Sequence, residues 1–167
     1  VCAYAYIAKG AVSIEYYLNP EMLARFDRER ASIPGAHDAR YRPAMTGAAG
    51  AYFDEKTRDF FADSEARFPG DDLSVRALFW LQGESDPNWP QAEYLLALRL
   101  LWEQARSLGF THFFCIRVGN WRDDAIINVI RAQEQFFSET EGAYMLTRVS
   151  SYFPMPGRDE SGWFIET

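Results

Sequence analysis

Five consecutive residues, Gln82-Gly83-Glu84-Ser85-Asp86, gather a carboxamide, two carboxylates and a hydroxyl around one glycine. They follow the apolar run 75–81 and precede Pro87. Core packing requires none of these polar groups, but chemistry uses all of them. A glutamine N–H can stabilise the oxyanion that develops in acyl transfer, a contribution of about 3 kcal/mol. The glycine lets the backbone turn and bring its own N–H close to a ligand. Glu84 can orient a histidine or hold substrate hydroxyls. The residues alone fit a plainer reading equally well: a polar turn in which Ser85 or Asp86 caps the element that follows.

Other chemistry-bearing residues are sparse. His112 lies early in an apolar run, where a structural role is expected, and His37 sits beside Asp38 in a loop, expected to be exposed. No His, Cys or Asp cluster has metal-ligand spacing. There is no G-x-S-x-G elbow and no glycine-rich phosphate loop. Gln133 can reach the rim formed by the strand ends or simply satisfy helix packing, and packing is the favoured reading. Cys2 and Cys115, both in apolar runs, read as two buried free thiols.

These residues need a scaffold, and the pattern of the chain supplies one. The 167 residues suffice for one domain with a real core, and 16% aromatic content argues for a well-packed globule. A net charge of −7 makes nucleic acid an unsuitable partner, because phosphate binding needs a basic surface. No apolar run reaches the roughly 20 residues of a membrane span. Periodicity predicts strands at 1–8, 75–81, 110–118 and 143–149. Helices are predicted at 21–31, opened by Asn19-Pro20, and at 51–68, 90–107 and 123–138. A loop of about 18 residues covers 32–50, and 150–167 is an irregular tail.

On the 51–68 helix, Phe53, Thr57, Phe60, Phe61, Ser64 and Phe68 fall on one face, with Asp54, Glu55 and Arg58 mostly away from it. Strands alternating with helices imply βαβ crossovers and a parallel sheet, hence an α/β fold of three layers, α/β/α, with a flavodoxin-like order. In such a fold the strand ends at Gly10, Gln82, Gly119 and Val149 share one rim, where ligands bind.

The segment Trp80-Leu81-Gln82-Gly83-Glu84-Ser85-Asp86 resembles the W-x-Q-G-E-S-D block of the SGNH (GDSL-like) hydrolases, in their sialate O-acetylesterase and acetylxylan esterase branch. Lys9-Gly10-Ala11-Val12-Ser13-Ile14 is similar to that family's G-G-T-S-I block, with Ala11 and Val12 in place of the second glycine and the threonine. Arg117-Val118-Gly119-Asn120-Trp121 and the Ala132-Gln133 pair resemble further family segments. The resemblance covers roughly residues 3–147.

It implies a serine esterase that removes O-acetyl groups from carbohydrate through an acyl-enzyme, without a cofactor. Gln82 and Gly83, with backbone N–H groups near Gly10 or Ala11, would form the oxyanion hole. Glu84 would be the acid that orients the histidine or a structural and substrate contact. Ser13, Ser85, Asp86 and Asn120 would be weaker substrate contacts.

The family's G-Q-S-N and D-x-x-H blocks, which carry its serine and histidine, are missing here. The expectation is therefore a central part of a longer domain, residues 1–149, incomplete at both ends, or a relative without catalysis. As a binding module it would present Trp89, Trp121 and Trp163 to sugar faces. Self-association is left open.

Overall fold

A computed structural model of the chain describes residues 2–7, 12–36, 48–119 and 126–148. A short 3-10 helix, Ile14–Tyr17, precedes α1 (Pro20–Arg30), α2 (Ala48–Arg67), β1 (Ala77–Trp80), α3 (Gln91–Leu108), β2 (His112–Ile116), α4 (Ile127–Glu139) and β3 (Ala143–Thr147). Local chemistry sets the helix ends. The Asn19 side chain accepts from the Met22 N–H and Pro20 occupies the first turn of α1. Gly109 ends α3 in the left-handed conformation at φ 103°, its N–H reaching the carbonyls of Ala105 and Arg106.

The three strands form one parallel sheet in the order β1-β2-β3. Ala77 pairs with His112 and Phe113 with Ala143, and the register slips between Cys115 and Ile116. The chain is therefore an α/β protein with helical crossovers, as the pattern predicts.

The faces of this sheet differ. Trp80, Phe113, Cys115 and Ala143 are buried. Phe113 meets Trp102 of α3 and Phe136 and Phe137 of α4, with ring centroids 5.0–5.8 Å apart. Burial of one such ring contributes about 2 kcal/mol. The alternate residues Phe79, Tyr144 and Leu146 are 48–64% exposed. On this second face Phe79 stacks on Phe114, and Phe114 stacks on Tyr144. His112 lies against both Phe114 and Tyr144, a structural place as expected.

Several expectations are corrected. Residues 2–7 are extended but form no strand, and Tyr4 and Tyr6 are each 89% exposed. Strand-prone residues become a strand only when a neighbour accepts their backbone hydrogen bonds, and among the described residues none does so. Cys2 is accordingly exposed, while Cys115 is buried, and both thiols are free.

The run 75–81 shortens to the four residues of β1. Val75 and Leu81, beyond its ends, share the parity of Phe79 and are exposed with it. On α2, Asp54 is buried rather than solvated. It belongs to the packing between α2, the Tyr17–Asn19 segment and α3. That packing is tight: a Cβ on Gly50 would overlap the backbone of Leu18 and Asn19. The end of α1 carries a buried arginine, Arg30, which meets Glu15 and Glu93 at 3.4 Å and Asp27 at 3.2 Å. These pairs join α1, the 3-10 helix and α3.

Candidate functional site

The turn after β1 is built from the backbone outward. Gly83 adopts φ +142°, a conformation that side chains rarely allow. A Cβ there would lie 2.8 Å from Val129 Cγ1 on α4, and 3.3 Å from both Gln133 Nε2 and Tyr94 Oη. Glycine is thus required by conformation and by space together. The Asp86 N–H closes the turn on the Gly83 carbonyl at 3.0 Å.

Gln82 is buried and its carboxamide is fully engaged. Its Nε2 donates to the Val12 carbonyl at 3.0 Å and to Asp86 Oδ2 at 2.6 Å. Its Oε1 accepts from the Tyr94 hydroxyl at 2.9 Å, and that hydroxyl also lies 3.1 Å from the Gln82 carbonyl. Asp86 Oδ2 takes a second donor, the Ile14 N–H, at 3.0 Å. The 12–14 segment and the 82–86 turn are therefore tied together. Ser13 caps the 3-10 helix, its hydroxyl accepting from the Glu15 N–H.

Gln133 does more than pack. Its Nε2 donates to the Gln82 carbonyl at 2.8 Å, and its Oε1 accepts from the Val118 N–H at 3.1 Å. One buried side chain on α4 thus bridges the carboxyl ends of β1 and β2. Packing, the favoured reading, and reach to the rim are both realised. Tyr94 on α3 is the residue that sequence reasoning missed as a site component. Its position on the inward face of a helix marked it for the core, and nothing local distinguished its hydroxyl.

Electrostatics separate the members of this cluster. Asp86 is fully buried, and among the described residues no cation pairs with it. Burial raises its pKa to about 6, against the pull of Gln82, Ser13 and the Ile14 N–H, with Glu15 adding to the rise. Its Oδ1 has no hydrogen-bond partner. Burial also raises Tyr94 well above the ordinary tyrosine range and lifts Cys115 to about 12, so neither is ionised near neutrality. At the β2 and β3 ends, Glu134 joins Arg117 and Arg148. Hydrogen bonds from Arg148, and then from Arg117, hold its carboxyl below the usual range.

The structure thus brings together Gln82, Gly83, Asp86 and Ser13. Glu84 and Ser85 belong to the same turn but are exposed, outside the buried network. Neither Ser85 nor Asp86 caps α3, whose N-cap, Pro90, lacks a side-chain hydrogen bond. Gly10, Ala11, Asn120, His37, Trp121 and Trp163 lie outside the described residues. Trp89 is corrected from an exposed platform to a core residue, 6% exposed and stacked on Phe26, because α1 covers it.

Among the described residues, no group of His, Cys, Asp or Glu side chains is placed to hold a metal ion, and no helix is long and apolar enough to cross a membrane. No family model, curated protein or solved structure matches this chain.

Proposed function

We propose that this chain carries part of the active-site rim of a serine ester hydrolase acting on O-acetylated carbohydrate. The observation that supports it is the Gln82-Gly83 turn at the carboxyl end of a parallel strand, where α/β folds bind ligands. Chemistry at that place would be acyl transfer: a serine attacks the ester carbonyl, a histidine takes its proton, and water hydrolyses the acyl-enzyme.

In the arrangement seen here both Gln82 amide hydrogens are in use. Its role in an oxyanion hole therefore requires one of these bonds to be exchanged for the substrate oxygen. Gly10 and Ala11 would contribute backbone N–H groups, and Glu84 would orient the histidine or bind the sugar.

The proposal extends to the fold: an SGNH-type three-layer sandwich in which further polypeptide supplies the serine, the histidine and the second helical layer. Among the described residues one sheet face is exposed and the outer edge of β1 has no partner strand, which favours it, since all-parallel sheets are normally covered on both faces. The full commitment of the Gln82 carboxamide favours a second reading, a relative that keeps the rim as structure and binds without catalysis.

Fluorophosphonate labelling of the full-length protein, mapped by mass spectrometry, separates the two. One labelled serine, with acetate released from O-acetylated sugars, is the expected result. Folded protein with neither label nor acetate release overturns the esterase reading.

A further inference from the structure

We infer that Asp86 is a proton-operated latch that fastens the 12–14 segment to the turn after β1, closed when the carboxyl is neutral and loosened when it ionises. The inference does not depend on esterase chemistry at the rim.

The geometry of the two carboxyl oxygens carries it. Oδ2 holds both fastening bonds, from the Ile14 N–H at 3.0 Å and from Gln82 Nε2 at 2.6 Å. Oδ1 is buried and without a partner. A proton on Oδ1 therefore removes the charge and leaves both bonds intact. Loss of that proton puts a whole negative charge into a site from which water is excluded. Opening of the 12–14 segment lets water reach the carboxylate, so ionisation favours the open form.

Among the described residues no cation offsets that charge. From the 3-10 helix, Glu15 adds a second negative charge, and from α3 the buried Tyr94 stays neutral. The amides of Gln82 and Gln133 are uncharged. Arg30 on α1 is engaged by Glu15, Glu93 and Asp27. Ser13 and the Ile14 N–H, which pull the carboxyl the other way, are neutral dipoles. A fully buried carboxyl so placed titrates above its ordinary range, and its closed form binds a proton that its open form releases.

The test is hydrogen exchange of the Ile14 amide, read by NMR on the full chain and corrected for the intrinsic exchange rate. Between about pH 5 and about pH 7.5 the opening equilibrium of the wild type should rise about tenfold, the factor that a carboxyl midpoint displaced by about two units gives over this span. Asp86→Asn should show no such rise. Protection independent of pH in the wild type, or an equal rise in Asp86→Asn, overturns the latch. If Asp86→Asn does not fold, the carboxyl carbon resonance of Asp86 in the wild type decides. A midpoint well above the ordinary aspartate value supports the latch, and an ordinary midpoint or no titration between about pH 4 and about pH 8 refutes it.

Discussion

Two glutamine–aspartate pairs are buried among the described residues, and they are built to the same plan. At the rim, Gln82 Nε2 spans the Val12 carbonyl and Asp86, while its Oε1 accepts from Tyr94. At the junction of α1, α2 and α3, Gln104 Nε2 spans the Tyr17 carbonyl at 3.0 Å and Asp54 Oδ1 at 2.7 Å, while its Oε1 accepts from the Asn19 N–H at 2.9 Å. Each glutamine satisfies a backbone group that regular structure leaves over. Each also ties an irregular segment to a helix or strand end.

The aspartates differ. Asp54 uses both oxygens, the second accepting from Asn19 Nδ2 at 2.9 Å, and Arg58 lies 3.8 Å away. Asp86 puts two donors on one oxygen and leaves the other empty in the interior. A carboxylate with both oxygens hydrogen-bonded beside a cation is a strut. A carboxylate with one oxygen unsatisfied and no cation beside it is sensitive to its proton. The same pair of residue types thus yields scaffold in one place and a responsive element in the other.

The largest effect that would break this comparison is at the scaffold pair. Gln104→Ala leaves the Asp54 carboxylate, the Tyr17 carbonyl and the Asn19 N–H without their partner. Denaturant unfolding should show a loss of about 4 kcal/mol, and a loss below about 1 kcal/mol would deny Gln104 its role.

Next comes the pH response of the rim. A carboxyl raised above its unfolded value binds its proton more tightly in the folded state, so stability falls as pH rises through that window. Urea unfolding of the wild type should show a contribution of about 1 kcal/mol lost between about pH 5 and about pH 7.5, absent in Asp86→Asn. Asp54→Asn should leave that slope in place.

The smallest effect belongs to a region in neither pair. Tyr144→Ser on the exposed sheet face should change the melting midpoint by less than the equivalent of about 0.5 kcal/mol. A large loss would mean that this face is covered in solution.

Much of the scaffold was legible because its signals are local. Asn19-Pro20 opens α1 and Gly109 closes α3 as the residue types demand. The apolar period of the 90–107 segment turns Tyr94, Leu95, Leu98, Leu101, Trp102 and Ala105 to one face, and all six are buried. What escaped depends on distant partners. Asp54 looks like a surface carboxylate until Gln104 is placed against it. Trp89, beside two prolines in a polar stretch, gives no sign that Phe26 will cover it.

The segment 2–7 has the composition of a strand, but pairing is a property of two segments and cannot be read from one. In the turn after β1, the residue types announced chemistry and the glycine announced a sharp bend. The use of both Gln82 amide hydrogens within the fold was not visible, because their acceptors include the carbonyl of Val12.

The parallel register has a consequence for how the chain acquires its shape. β2 joins β1 only after α3 has crossed over, and β3 joins β2 only after α4 has done so. None of the three described strands finds its neighbour as a local hairpin, so their backbone pairing waits on loop closure across a whole helix. Sheet assembly and helix docking are therefore one kinetic event. Substitutions that slow the formation of α3 should delay the sheet as much as changes in the strands themselves.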